Sequence, residues 1–269
     1  MKLRFKEIFF IYIYYIKMNV FSANVKNVKL FKSLLSILKD ILVDISFIIT
    51  KNKIRIVSLD SSKEILLNIN IDSENFEEYV CVFDKIIINT GAQNLYKIIS
   101  KISNKSKLNL SIKQEDYNDG FVQCLSLIVN ENVIKIKLNE NSIIELNIPL
   151  EEPNALFTQF KMNSIDLINV IKTMDSISDY IFLRVNLDHI VFECNGIYAS
   201  SKMVYPNKII QMDINSIILP IIILKKFSKS IMLSDNLLIK FGKNIPFTIS
   251  YDIPDLGNFQ FYYRNTESI

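Results

Sequence analysis

The chain has few of the residues on which catalytic sites depend. It contains 269 residues but only 5 glycines, 3 cysteines and 1 histidine, and it has no tryptophan. A phosphate-binding loop needs several glycines, and an activated nucleophile or a metal site needs histidine partners, so neither kind of site fits this sequence. The cysteines lie far apart without a CxxC pair, which favours reduced thiols inside a cell. We therefore predict no catalytic residue, no metal ligand and no cofactor.

Length and composition allow two ordinary domains or one large one, with well-packed cores. Hydrophobic residues make up 49% of the chain and charged residues 22%, and the length is sufficient for two ordinary cores. The formal net charge is only +3, so a polyanionic partner such as nucleic acid would have to meet a local positive field. The adjacent acidic pairs Glu77-Glu78 and Glu151-Glu152 are not spaced to converge on a substrate, and we interpret them as solvated loops.

Residues 1–17 differ from the rest of the chain. The apolar run 8–16 follows three basic residues, an order typical of signal peptides, but it is too short for a membrane span of about 20 residues. Met18 follows at once, and the patterned sequence begins just after it. This apolar extension therefore has three interpretations: a wrongly assigned start codon, a targeting segment of a membrane or secreted protein, or an additional strand.

An amphipathic helix with a basic stripe is predicted over residues 29–40. At 100° per residue, Lys29, Lys32 and Lys39 fall within an arc of about 120°, and apolar side chains fill the opposite side. Each of three later helices also carries lysine opposite its apolar face. These helices are predicted over residues 91–102, 164–174 and about 219–230.

The strand pattern divides the chain into two similar halves. Apolar and β-branched runs bounded by turn residues predict antiparallel strands after each helix. The order of helix, strands, helix and strands occurs twice, and the joint between the halves contains Pro149 and Pro153. We predict an N-terminal domain over residues 18–138, a connector over 139–153 and a C-terminal domain over 154–269. The strands are predicted at 45–50, 53–59, 65–71, 108–112, 121–129, 133–138, 157–162, 181–186, 190–193, 197–204, 237–241, 247–251 and 259–263.

Several stretches resemble the proliferating cell nuclear antigen (PCNA) family of DNA sliding clamps. Residues 59–62 (Leu-Asp-Ser-Ser) and 73–81 are similar to parts of its first domain, and residues 146–149 (Leu-Asn-Ile-Pro) to the end of its interdomain connector. Residues 245–251 and the Asp-Leu-Gly at 255–257 resemble its last strands. The similarity runs in order from about residue 20 to residue 264.

The resemblance implies a fold and a function. The fold would be an α+β, two-domain sliding-clamp architecture, with antiparallel sheets outside and helices lining the inner face of a homotrimeric ring. The function would be that of a non-enzymatic clamp that encircles duplex DNA in the nucleus, or in a viral or organellar-nuclear replication compartment. Such a clamp acts as a processivity factor for DNA polymerase and as a docking platform for the clamp loader and for replication and repair proteins. The alternative is a subunit of a checkpoint or transcription-associated heterotrimeric clamp.

The resemblance also implies three sets of site residues. DNA-contacting positions of the family match Lys32, Lys39, Lys97, Lys172 and Lys229, whereas Ser33, Ser100 and Asn169 replace basic residues. Nearby Lys29, Lys101, Lys225 and Lys226 are expected to restore that charge. The groove that binds a peptide with a glutamine, an aliphatic residue and two aromatics matches Leu59, Leu66, Leu146, Ile148, Pro246 and Tyr262. The paired edge strands between subunits match residues 133–138 and 199–205, with Val133, Ile134, Ile136, Leu138, Ser201, Met203 and Tyr205 at the interface.

The groove departs from the family pattern at its rim. Lys63 and Glu64 stand in place of a histidine and an aliphatic residue, and Arg264 replaces a small residue. These changes are expected to alter which peptides the groove prefers.

Overall fold

The structure is a computed structural model that describes residues 19–138, 146, 148, 155–206, 209–231 and 233–264, without the side chains of 229–231. The described residues form two compact units. The first lies within Met1–Ser58, Ile69–Leu146 and Pro254–Gly257, and the second within Leu59–Asn68, Asn147–Ile253 and Asn258–Ile269. Residues 1–17 and most of the connector 139–153 lie outside the described residues, so the predicted domain boundaries stay predictions.

The first unit combines two helices with antiparallel strands. Its helices are α1 (Val28–Ile41) and α2 (Ala92–Ile99), which pack against each other. Short 3-10 turns occupy Ser73–Asn75 and Gln114–Asp116. The strands of this part of the chain are β1 (Asn19–Val25), β2 (Asp44–Thr50), β3 (Lys53–Leu59), β4 (Ile65–Asp72), β5 (Phe76–Cys81), β6 (Lys85–Gly91), β7 (Leu108–Lys113), β8 (Tyr117–Asn118), β9 (Phe121–Val122), β10 (Cys124–Val129) and β11 (Asn132–Lys137).

Helix α1 forms because its sequence supplies both a cap and a continuous apolar face. The Asn27 side chain accepts a hydrogen bond from the Leu30 backbone N–H at 3.0 Å, which satisfies one of the free donors of the first turn. Phe31, Leu34 and Leu38, at helical spacing, are at most 3% exposed. The predicted helix over 29–40 is confirmed.

The strands of the first unit form antiparallel groups. A five-stranded sheet has the order β11-β10-β7-β1-β5, so β11 lies at one edge. Strand β2 pairs with β3 on one side and with β6 on the other. A separate hairpin joins β8 and β9.

The second unit repeats the combination of a helix pair with antiparallel sheets. Helices α3 (Ser164–Met174) and α4 (Ile221–Ile231) pack against each other. One sheet contains the order β16-β12-β18-β19-β20, and a four-stranded sheet has the order β15-β14-β13-β17, with β15 at its edge. The strands are β12 (Phe157–Asn163), β13 (Tyr180–Val185), β14 (His189–Asn195), β15 (Ser200–Pro206), β16 (Ile209–Gln211), β17 (Ser216–Pro220), β18 (Asn236–Gly242), β19 (Ile245–Ile253) and β20 (Gly257–Tyr263).

Two predicted helix boundaries were wrong. The helix predicted over 91–102 ends at Ile99, and Lys101 and Ile102 form turns that donate to Ile98 and Ile99 carbonyls. The helix predicted from about residue 219 begins at Ile221, because residues 216–220 form strand β17 beside β13. The apolar run here continues from strand into helix, so periodicity alone does not mark the change.

The interpretation of Glu77-Glu78 as a loop was also wrong. Both residues lie in strand β5, which pairs with β1, and both are exposed. The Glu78 carboxylate accepts a hydrogen bond from the Asn24 side chain at 2.8 Å. The register between β1 and β5 shifts at this point: Asn24 lies opposite Glu78 and Val25 opposite Phe76, so Glu77 is an extra residue in β5.

Candidate functional site

The lysines of α1 differ in how free their charges are. Lys32 is half-buried, and its Nζ donates to the Ile102 carbonyl at 2.7 Å and to Asn104 Oδ1 at 3.0 Å. Lys39 pairs with Asp40 at 2.6 Å, and its Nζ lies 4.9 Å from the centre of the Tyr96 ring. These contacts tie both ammonium groups to the protein, so a bound phosphate would have to compete for them.

Four other predicted DNA-contacting lysines are open to solvent. Lys29 lies in the first turn of α1, Lys97 on α2, Lys101 just after α2 and Lys172 on α3. Within the described part of the chain their side chains are exposed and form no hydrogen bond or ion pair. Their full charge is therefore available to a polyanion.

Helix α4 carries the remaining basic residues of the predicted set. The Lys225 ammonium contacts both carboxylate oxygens of Asp175, at 3.0 and 2.9 Å, while both side chains remain largely exposed. An exposed pair of this kind contributes at most about 1 kcal/mol, so it can exchange for a phosphate contact. The Lys229 side chain lies outside the described residues, and its assignment stays a prediction.

Lys226 does not add the free charge expected of it. Its Nζ lies 2.6 Å from Asp60 Oδ2, and it also donates to the Ser62 hydroxyl at 3.3 Å. The Asp60 side chain is only 1% exposed and the Lys226 side chain 27%. Lys226 thus faces a buried carboxylate of its own unit and is committed to an internal ion pair.

The turn after β3 is built around Asp60. Its Oδ1 accepts hydrogen bonds from the backbone N–H groups of Glu64 at 2.9 Å and Ile65 at 3.0 Å, and the Ser62 hydroxyl donates to Oδ2 at 2.5 Å. Lys63 occupies the left-handed region with φ 59°. Carboxylates that accept several local N–H bonds are typical of tight turns.

The environment of Asp60 keeps its carboxylate charged. Burial opposes ionisation and would raise the pKa of Asp60, but hydrogen bonds from Lys226, Ser62 and the Ile65 N–H, with the Lys226 charge, outweigh burial and lower the pKa below its ordinary 3.8. Because the folded-state pKa is the lower one, the stabilisation is present above pH 3.8 and is lost as the pH falls through the folded-state value.

Five of the six predicted groove residues belong to the second unit, and Leu146 belongs to the first. Leu59 is 37% exposed at the end of β3, and Leu66 is buried near the start of β4. Pro246 in β19, Tyr262 in β20 and Ile148 in the connector are half-buried.

Hydrogen bonds involve the strands β4 and β20, which carry two of the predicted groove residues. The Tyr262 hydroxyl donates to Gln260 Oε1 at 2.9 Å, and the Asn68 side-chain amide donates to the same oxygen at 2.7 Å. The backbone N–H of Arg264 donates to the Glu64 carbonyl at 3.3 Å. The end of β20 is thereby joined to the turn built around Asp60.

Both strands predicted at the subunit interface are edge strands. In the β10–β11 ladder, Leu138 lies opposite Gln123 and donates to its carbonyl, which marks a hydrogen-bonded pair. Antiparallel ladders alternate hydrogen-bonded and non-hydrogen-bonded pairs, so the backbone groups of Val133, Lys135 and Lys137 point away from β10. Val133 is 54% exposed and Ile134 37%, whereas Ile136 is buried and Leu138 half-buried.

The alternation of hydrogen-bonded pairs also shows which backbone groups of β15 point away from β14. Gly196 lies opposite Ala199 and donates to its carbonyl, so outward backbone groups belong to Ser200, Lys202, Val204 and Pro206. Val204 is 53% exposed. The predicted interface residues Ser201, Met203 and Tyr205 are half-buried and hydrogen-bond instead towards β14. Pro206, which has no N–H, occupies the last outward position.

No group of three or more metal-ligating side chains occurs among the described residues, and no described helix is long and apolar enough to cross a bilayer.

Comparison with known proteins decides the family. Residues 20–152 match the family profile of the proliferating cell nuclear antigen N-terminal domain, and residues 152–266 match that of its C-terminal domain. The chain belongs to the proliferating cell nuclear antigen family. A crystal structure of PCNA from Entamoeba histolytica is similar to it with a TM-score of 0.79 and 19% identity, covering 91% of this chain and 98% of that chain.

These findings confirm the predicted sliding-clamp fold, with its antiparallel sheets and two helices in each described unit. The individual site residues stay predictions. The sequence does not reveal the ion pair between Asp60 and Lys226. Asp60 stands inside the Leu-Asp-Ser-Ser stretch, but its partner lies 166 positions away. An acidic residue followed by serine indicates a turn, but nothing near Asp60 in the sequence indicates that its partner is Lys226.

Proposed function

We propose that this chain is a DNA sliding clamp that performs no chemistry itself. Three copies close into a ring around duplex DNA, and the ring tethers a DNA polymerase by topology, which raises the effective concentration of polymerase at the primer end. The same ring is a docking platform for the clamp loader and for replication and repair proteins. Membership of the PCNA family and the family's usual role support replication in the nucleus as its setting.

One observation carries the DNA part of the proposal. Lys29, Lys97 and Lys101 in the first unit and Lys172 in the second are exposed and unpaired within the described residues, on or directly after helices. Lysines that contact phosphates bind without reading bases, as a protein that slides along any sequence requires. The partly engaged Lys32, Lys39 and Lys225, with Lys229, complete the proposed DNA-contacting set.

Ring closure is supported by the positions of β11 and β15, each of which ends a sheet among the described strands. A long unpaired edge is an aggregation risk in a soluble protein, and pairing with another copy removes it. Strand β11 lies at an edge in the first unit and β15 at an edge in the second. Joining β11 of one chain to β15 of the next is a head-to-tail contact. Such contacts form a closed ring of three chains when each chain is rotated by one third of a full turn relative to the last.

The test of encirclement uses linear duplex DNA with its ends free or blocked by bound streptavidin. At high protein concentration a ring threads onto free ends, and blocking the ends afterwards should hold it on the DNA during a wash at high salt, while unblocked DNA should lose it. The measurement is the protein retained on each DNA. Equal loss from both DNAs would contradict encirclement.

The partner-peptide groove is proposed on Leu59, Leu66, Ile148, Pro246 and Tyr262 of the second unit, and Leu146 stays a prediction from the resemblance. Apolar side chains, most of them exposed or half-buried, together with an aromatic residue suit an aliphatic plug with aromatic anchors. The hydrogen bonds of Tyr262 and Gln260 hold one side of this surface in place before a peptide binds. A preformed surface reduces the entropy lost on binding.

Replacing Ile148 with serine and Tyr262 with alanine should weaken binding of a peptide with a glutamine, an aliphatic residue and two aromatics by at least about a hundredfold. Truncation of two central contacts typically costs about 2 kcal/mol each. The measurement is fluorescence anisotropy with a labelled peptide, and Lys161→Ala, an exposed change on β12, is the control. Unchanged peptide affinity would place the binding site elsewhere.

The mass of the purified chain separates the two candidate clamp types. A homotrimer of 31.3 kDa chains would have a mass of about 94 kDa, whereas a subunit of a heterotrimeric clamp would remain a single chain until its partners were added.

A further inference from the structure

We infer that Lys226 is a positioning residue that holds one wall of the partner-peptide groove, although it lies on a helix of the proposed DNA-contacting set. The inference rests on the proposed groove. It separates two functions on helix α4, where the adjacent Lys225 is largely exposed and Lys226 reaches a buried carboxylate.

Asp60 requires Lys226 as its partner. The Asp60 side chain is 1% exposed, and its cationic partner among the described residues is Lys226, at 2.6 Å. A buried carboxylate that loses its partner cation is left uncompensated, and the local structure then moves to let water reach it. The Asp60 turn is therefore held in its present form by a lysine from a helix distant in sequence.

The Asp60 carboxylate in turn organises the backbone of residues 60–65. The Glu64 and Ile65 N–H groups donate to the Asp60 carboxylate, and the Asp60 N–H donates to the Ile65 carbonyl at 2.9 Å. Each of these bonds fixes the turn relative to the carboxylate. Removing the cation that anchors the carboxylate would loosen all of them together.

The turn over residues 60–65 connects directly to residues of the proposed groove. Leu59 directly precedes Asp60, and Leu66 directly follows Ile65, so the turn sets the separation of these two groove residues. On its far side the Glu64 carbonyl accepts from Arg264, two residues after Tyr262. The groove residues from β3, β4 and β20 thus depend on one turn, and that turn depends on Lys226.

The test replaces Lys226 with methionine, which keeps the length of the side chain and removes its charge. If the arranged turn falls from nearly full occupancy to about a tenth, the apparent peptide affinity falls about tenfold. Lys226→Arg, which keeps the charge, should retain most of the affinity. Lys161→Met, an exposed lysine of the same unit outside both residue sets, should leave the peptide affinity unchanged.

A second variant identifies the cause. In Lys226→Met combined with Asp60→Asn no buried charge is left alone, and the amide oxygen still accepts from Glu64 and Ile65, so affinity should recover in part. Hydrogen exchange should show faster exchange of the Glu64 and Ile65 amides in Lys226→Met, with the α3 and β18 amides unchanged.

The outcomes distinguish this inference from the groove itself. Peptide binding by the wild-type chain with equal binding by Lys226→Met would overturn the role of Lys226 and leave the groove intact. A wild-type chain that bound no peptide would overturn both. A loss in Lys226→Met that the double variant deepened would also overturn the inference, because it would show that the uncompensated charge is not the cause.

Discussion

Replacing Val204 with proline is expected to convert the proposed ring of about 94 kDa into single chains of 31.3 kDa. The Val204 backbone N–H points away from β14, at the free edge of β15, so proline removes a donor offered to a neighbouring chain and no bond inside the sheet. Edge strands tolerate proline for this reason. Proline also adds bulk on the side where the next strand must approach.

The matched control for this prediction is Val204→Thr, which keeps the β-branched shape and the N–H. Its mass by sedimentation equilibrium should remain that of three chains, while Val204→Pro should give one. Circular dichroism melting of both variants checks that the single chain is folded. A folded Val204→Pro protein that still sedimented as three chains would show that β15 does not form the joint.

The second large effect is expected on DNA binding when Lys97 and Lys172 are both replaced by alanine. Each phosphate contact contributes about 0.9 to the slope of log affinity against log salt, so the six lysines removed from a ring reduce the slope by up to about 5. Both side chains are exposed and unpaired among the described residues, so their loss leaves no buried partner uncompensated. The measurement is affinity for a short duplex over a series of potassium chloride concentrations.

A second pair of lysines tests location against net charge. Lys161 on β12 and Lys243 in the turn after β18 are exposed but lie outside the helices, and Lys161→Ala with Lys243→Ala removes the same charge. Its salt slope should equal that of the wild-type chain. Equal slopes for the two double variants would contradict the assignment of the helix lysines to DNA.

The sequence predicts elements best where periodicity and caps agree. The helix predicted over 29–40 is Val28–Ile41, and the strand predicted over 53–59 is Lys53–Leu59. Prediction failed where an apolar run changes from strand to helix, at residues 216–224, because β-branched residues fill both elements. It failed again at Glu77 and Glu78, because two adjacent charged residues indicated a loop where the structure has an exposed strand.

For the candidate sites, the sequence shows which residues are basic but not which of them form ion pairs or hydrogen bonds within the protein. Lys225 and Lys226 are adjacent and fall on one arc of the predicted helix, yet one pairs with Asp175 at the surface and the other with buried Asp60. Lys32 likewise reaches the turn after α2 and donates to the Ile102 carbonyl. Which lysine is free depends on tertiary contacts between distant segments, and local pattern contains no information about them.

Pro206 gives the free edge of β15 a defined end. Of the outward positions on this strand, only Ser200, Lys202 and Val204 supply an N–H, and β11 supplies three more from Val133, Lys135 and Lys137. Each hydrogen bond has a net contribution of about 1 kcal/mol, so an interface of so few bonds is weak. In the proposed ring, one interface can separate while the other two remain closed, and neither neighbouring chain loses a hydrogen bond of its own sheets. A ring built this way opens to admit a duplex without unfolding any part of its chains.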